Sequence, residues 1–160
     1  MTIAAGDKLP DVKVAIPTAE GPKQVQTSEL LGSGRVVLFG VPGAFTPTCS
    51  DFHLPGFVLR AEDLKAKGVD VIACVSVNDP FVMKAWAADR EVGDSVVMIA
   101  DGSADLTRAL GLEIDLSGGG LGLRSKRFAA IIDDGVVTDL AVEEGLGLDV
   151  SGADAVLAKL

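Results

Sequence analysis

The chain has 160 residues, 48% of them hydrophobic, with 14 Lys and Arg against 23 Asp and Glu for a net charge of −9. So apolar a chain buries enough surface to offset the entropy of ordering, which excludes disorder, and its length suits a single domain over residues 1–160. The acidic balance repels phosphate backbones and anionic headgroups, so no nucleic acid and no membrane partner is expected.

In chain order, Val12–Ile16 alternates and ends at Pro17, which predicts a short strand. Arg35–Val41 (RVVLFGV) is a β-branched apolar run of the kind buried on both faces, closed by Pro42 and Gly43. Thr46-Pro47-Thr48-Cys49 reads as a helix start, with Thr46 at the N-cap and Pro47 in the first helical position. Pro55-Gly56 is expected to kink or restart that helix, which then runs from Phe57 to Gly68. Val69–Val77 is a second buried strand that contains Cys74. Asn78-Asp79-Pro80 starts a helix that continues to about Glu91. Val96–Ala100 is a third short strand and Asp101–Leu110 a helix stopped by Gly111. Ser117–Leu123 reads as loop. Phe128–Ile132 and Val136–Val142 form a hairpin through Asp133-Asp134-Gly135. Ser151–Leu160 reads as a closing helix with Ser151 and Asp154 in a capping-box-like spacing.

Strands and helices alternate in the first half, and a hairpin and a helix follow. The pattern predicts an α/β fold with a central mixed β-sheet flanked by helices on both faces. That layout is similar to the thioredoxin-like fold.

The chemistry concentrates at one thiol. Cys49 falls in the first turn of a helix that follows a central strand. Unpaired backbone N–H groups and the positive end of the helix dipole there favour thiolate over thiol. Two cysteines, one histidine (His53) and no CxxC pair exclude a disulfide scaffold and a Cys/His zinc set, so no metal or cofactor is expected. Gly118–Gly122 follows no strand and lacks a Gly-Lys-Ser/Thr ending, so it is not a phosphate loop. Asp133-Asp134 and Glu143-Glu144 read as solvated turn carboxylates. The N-terminal MTIAAGDKLPDVK lacks a basic flank and apolar core, and no apolar run reaches the ~18 residues of a membrane span, so a cytoplasmic location is expected.

PGAFTPTCS resembles the active-site segment of the peroxiredoxins, in which a Pro, three residues, a Thr, two residues and a Cys follow one another. Here these are Pro42, Thr46 and Cys49. The runs VPGAFTPTCSDFHLPGF, KAKGVDVIACVSVNDPFVMKAW and LRSKRFAAIIDDG are similar to the type II, peroxiredoxin-five-like subfamily, and the resemblance spans roughly Gly6 to Leu160.

The resemblance implies a thiol peroxidase for hydrogen peroxide and alkyl hydroperoxides, with a part in redox homeostasis. Cys49 would form a sulfenic acid, Thr46 would hydrogen-bond sulfur and peroxide, and Pro42 would shield the sulfur from water. Arg127 matches the family's arginine, with Arg124 as its alternative. His53, one turn after Cys49, is read as pocket or interface packing rather than a base. No cysteine lies in EEGLGLDVSGADAVL, where one branch of the family resolves the sulfenic acid. Cys74 is therefore either a resolving cysteine or a buried structural one. Recycling would fall to glutathione and glutaredoxin, or to thioredoxin, and the family pattern implies a homodimer. A relay that oxidises a partner protein is the other reading of the same thiol.

Overall fold

The computed structural model describes residues 1–160. Lys13–Thr18 (β1) and Gly21–Gln26 (β2) form an edge hairpin, and Thr27–Leu31 (α1) follows directly. Arg35–Gly40 (β3), Val71–Ser76 (β4) and Val97–Ala100 (β5) are the three apolar runs, and they pair in parallel at the centre. Phe128–Asp133 (β8) and Val136–Val142 (β9) form the expected hairpin, with β8 antiparallel to β3. The seven strands run in the order β2-β1-β5-β4-β3-β8-β9, with β1 antiparallel to β5.

Alternation along the central strands assigns side chains to two layers. Val37, Phe39, Ile72 and Cys74 point to one face, where Leu54–Leu59 (α2), Ala61–Ala66 (α3), Pro80–Asp89 (α4) and Ala153–Leu157 (α6) cover them with Phe57, Leu64, Trp86 and Val156. Val36, Leu38, Ala73 and Val75 point to the other, under Leu31 of α1 and Leu106 and Leu110 of Asp105–Leu110 (α5). Helices flank both faces of a mixed sheet. No helix is long and apolar enough to cross a membrane.

Several boundaries differ from the sequence reading, each for a local reason. The helix does restart at Pro55-Gly56, since α2 begins at Leu54 with Pro55 in its first turn, where its missing N–H is harmless, but the run expected from Phe57 to Gly68 breaks at Arg60 (φ −97°, ψ 8°). The helix expected from Asp101 begins at Asp105. Asp101 accepts from the N–H groups of Leu106 and Thr107 and from the Thr107 hydroxyl, so it caps the helix from outside. Glu113–Asp115 (β6) and Leu123–Ser125 (β7) form a two-stranded ladder around the glycine-rich loop, with a short 3₁₀ turn at Ser117–Gly119. The closing helix is confined to Ala153–Leu157 because Ser151 is used elsewhere: its hydroxyl donates to Glu143, and no side chain caps α6.

Candidate active site

Between β3 and the following helix, Pro42, Gly43 and Ala44 are buried in a tight loop held from three directions. The Ala44 N–H donates to Asn78 Oδ1 (3.0 Å), which also accepts from the Ser76 hydroxyl (2.5 Å) at the end of β4. Arg124 of β7 donates from Nη1 to the Pro42 carbonyl (3.2 Å) and from Nε to that of Leu121 (2.9 Å). It lies so close over Gly43 that a Cβ there would stand 2.6 Å from Nη1. Thr46 donates its hydroxyl to Gly43 O (2.7 Å), while its own carbonyl accepts from the Ser50 N–H (2.9 Å). No hydrogen bond joins the Thr46 hydroxyl to Cys49, which corrects the expectation of a direct contact with sulfur: the proton is committed to the loop, and only acceptor lone pairs remain.

The helix after Thr46 widens at once. Cys49–His53 is a π-helical turn, closed by the Leu54 N–H donating to Cys49 O. Single π turns recur at functional sites. This one sets both Cys49 and His53 against the same partner, Arg127, at the entry to β8. Arg127 is only 2% exposed. Its Nη2 donates to Cys49 Sγ (3.2 Å), its Nη1 to His53 Nδ1 (3.0 Å), and its Nε to the Leu146 carbonyl (3.3 Å).

The tautomer of His53 follows from its neighbours. A guanidinium can only donate, so Nδ1 accepts; the Ser151 carbonyl, 2.9 Å from Nε2, can only accept, so Nε2 carries the hydrogen. Burial holds the imidazole pKa down at about 4; the Ser151 carbonyl raises it, the Arg127 cation lowers it further, and Glu143 partly offsets that. A neutral His53 whose Nδ1 is occupied by a cation is not a general base. It packs in the pocket as expected, tilted against Phe39 and Phe57, and it also orients Arg127, a role the sequence does not reveal.

Arg127 has no carboxylate within ion-pair distance. Besides the Cys49 sulfur, the partners of this buried guanidinium are one backbone carbonyl and the neutral imidazole. Arg124, the alternative, braces the loop and does not reach the sulfur. Cys74 lies mid-strand opposite Phe39 and Met98, in the same apolar layer as Cys49, and both cysteines are free thiols. Burial pushes the Cys74 thiol well above its usual range, and a charge on Cys49 pushes it further, against a smaller opposite effect of Arg127. No group of three His, Cys, Asp or Glu side chains is placed to hold a metal.

Glu143, read from sequence as a solvated turn carboxylate, is buried at 7% exposure, whereas Glu144 beside it is exposed. Its Oε2 accepts from the N–H groups of Asp149 (3.0 Å), Val150 (2.8 Å) and Ser151 (2.9 Å) and from the Ser151 hydroxyl (2.6 Å). No single phase of β9 announces this: the register shift between Ile131 and Ile132 leaves Val137 paired with Ile132 on the Leu38 side of the sheet and Ala141 paired with Ala129 on the Cys49 side, and Glu143 follows Ala141.

Among known proteins, the Redoxin family matches residues 4–157. Peroxiredoxin-2C of Oryza sativa subsp. japonica is 53% identical over 159 residues, covering 99% of this chain and 98% of the relative. Peroxiredoxin-2B of Arabidopsis thaliana is 51% identical with the same coverage. A crystal structure of reduced Prx3 from Vibrio vulnificus in complex with hydrogen peroxide superposes with a TM-score of 0.94 at 52% identity, covering 99% of each chain. With a family match over nearly the whole chain, curated relatives about half identical to it and a superposing peroxiredoxin structure, the chain belongs to the Redoxin family, and within it to the type II, peroxiredoxin-five-like peroxidases.

Proposed function

We propose that Cys49 is the peroxidatic residue and that it works through a one-cysteine cycle with glutathione and glutaredoxin. The observation that carries the reading is the 3.2 Å contact from Arg127 Nη2 to Cys49 Sγ in a pocket with no competing carboxylate. The thiolate attacks one peroxide oxygen; the S–O bond forms as the O–O bond breaks, and the departing oxygen takes up a proton and leaves as water or an alcohol. Sulfur is oxidised by two electrons to sulfenic acid. Of the five guanidinium N–H groups three are engaged, so two remain to bind peroxide oxygens as charge develops on them. Thr46, its proton given to Gly43, accepts from the peroxide O–H. The peroxide bound in the Vibrio vulnificus relative supports hydrogen peroxide as a substrate.

Glutathione then attacks the sulfenic sulfur, expelling water, and glutaredoxin reduces the mixed disulfide. Cys74 is a poor resolving thiol: burial keeps it protonated, and a disulfide across the layer needs Cα atoms within about 7 Å and a partly unwound first turn. Phe45, Phe52, Leu146 and Val150 are exposed apolar side chains on the segments that carry Cys49 and hold Arg127, which supports a homodimer formed over this end of the molecule.

The test is a competition in one tube. Reduced protein receives sub-stoichiometric hydrogen peroxide with excess glutathione, and intact mass is read after a denaturing quench. Oxidation of the protein ahead of the free thiol, ending as a glutathione adduct, is the expected result, and Cys74→Ser should behave alike while Cys49→Ser stays unmodified. Loss of two hydrogens without an adduct would assign the resolving step to Cys74 and thioredoxin. A protein that remains reduced refutes the reading.

A further inference from the structure

We propose that Glu143 is a positioning residue for the Arg127 guanidinium: its carboxylate closes the loop 144–151, and two carbonyls of that loop orient Arg127, one directly and one through His53. The inference rests on the assignment of Cys49 and Arg127 above.

The loop has little else to fold it. Glu144–Val150 forms no helix or strand, includes Gly145 and Gly147, and leaves Leu146 and Val150 exposed. Its closure comes from one buried oxygen, Glu143 Oε2, which gathers three successive backbone N–H groups and a hydroxyl. Successive amides turned toward one point form an anion-binding nest, and hydrogen bonds to a charged acceptor are roughly twice as strong as neutral ones. Those bonds outweigh the effect of burial and hold the Glu143 carboxyl below its ordinary range, so the nest is anionic at neutral pH.

The closed loop presents two oxygens inward. Leu146 O takes Arg127 Nε and Ser151 O takes His53 Nε2, whose opposite nitrogen takes Arg127 Nη1. Two of the three bonds that fix the guanidinium plane therefore depend on the loop; the third is the sulfur itself. Glu143 is tied to Arg127 by backbone as well, since its N–H donates to the Arg127 carbonyl at 2.9 Å.

The arrangement has an electrostatic rationale. A carboxylate bonded directly to Arg127 would also orient it, but would take the cation's charge away from the thiolate. Placing the carboxylate one loop away supplies rigidity through neutral carbonyls and leaves the guanidinium facing the Cys49 sulfur with its charge uncompensated.

The experiment is a double-mutant cycle on the full chain, read by the rate of Cys49 oxidation by hydrogen peroxide and by the pH profile of Cys49 alkylation. Glu143→Gln keeps the shape and can keep an acceptor oxygen at the Oε2 position, but loses the charge that strengthens the four bonds. It should slow oxidation about tenfold or more, as small misplacements of catalytic groups do, and shift the alkylation profile to higher pH. In an Arg127→Ala background it should change neither reading, because its effect passes through Arg127. Asp101→Asn is the control: it disturbs another buried carboxylate that gathers two N–H groups and a hydroxyl, and should lower stability with the rate and profile unchanged. If Glu143→Gln does not fold, Ser151→Ala removes only the hydroxyl donor and should slow oxidation about threefold. An unchanged rate in the folded variant, or effects additive with Arg127→Ala, overturns the proposal. If Arg127→Ala itself leaves oxidation unchanged, the assignment of the peroxidatic site fails instead.

Discussion

The state of His53 makes stability depend on pH in a way that one substitution isolates. The imidazole is neutral in the fold with a pKa of about 4, against 6.5 when free, so below pH 6.5 the unfolded chain binds a proton that the folded chain refuses. A group whose folded pKa is depressed contributes stability above its unfolded value, and that contribution is lost as pH falls through the interval to the folded one. Between pH 6.5 and about 4 the loss from His53 alone sums to about 3 kcal/mol, a large share of the ~5–15 kcal/mol that holds a typical domain. His53→Gln keeps an N–H that can reach the Ser151 carbonyl and cannot titrate. Urea unfolding of both proteins at pH 7, 5.5 and 4.5 gives the difference curve, in which the carboxylates cancel. Wild type should lose stability relative to the variant by roughly 1.4 kcal/mol per pH unit in the middle of the interval. Parallel curves would mean that His53 takes up its proton inside the fold, and with it that the Arg127–His53–Ser151 chain is not as described.

Arg124→Ala removes two charge-assisted bonds to the carbonyls of Pro42 and Leu121 and uncovers Gly43. It should slow peroxide reduction about tenfold while costing about 1–3 kcal/mol in a denaturation midpoint; an unaffected rate would show that Asn78 alone holds the loop. Gly40→Ala drives a methyl into the ring of Phe128, which is buried and paired with Gly40 across the sheet. A loss of about 2–3 kcal/mol, read from urea unfolding, is expected. Trp86→Phe deletes the indole N–H that donates to the Ser50 hydroxyl beside Cys49 at 2.9 Å. It should cost about 1–3 kcal/mol because a buried hydroxyl loses its donor, and thermal unfolding by circular dichroism checks it.

What the sequence reveals and what it hides follow from how far each interaction reaches along the chain. β3, β4 and β5 are legible because strands covered on both faces are uniformly apolar and β-branched. β2 is not: GPKQVQ is mostly exposed, and it is a strand only because β1 pairs with it. β6 and β7, three residues each, are too short to show a period. The segment from Pro42 to Cys49 can be read from turn and helix-start chemistry, which is local. Even there the Thr46 hydroxyl, expected at the sulfur, is instead bonded to Gly43, a choice made by loop geometry that composition does not encode.

Arg127 stands at the far limit of legibility. It lies 78 positions from Cys49, and in the sequence only the peroxiredoxin resemblance places it near the thiol. Nothing in Lys126-Arg127-Phe128 distinguishes an arginine that faces a sulfur from one that faces water. The partners that orient it come from distant segments too: His53 is 74 positions away and the Ser151 carbonyl acts on His53 across 98. Glu143 is hidden for another reason: the register shift between Ile131 and Ile132 switches the faces of β9, so Val137 and Ala141 lie on opposite sides of the sheet and no period read from the sequence runs on to Glu143. It is buried by its long-range pairing opposite Arg127, to whose carbonyl its N–H donates. A charged residue buried at a strand end has to find donors, and β9 itself has ended. The donors nearest along the chain are the amides of the segment that follows, and three of them, at Asp149, Val150 and Ser151, are the ones that Glu143 gathers.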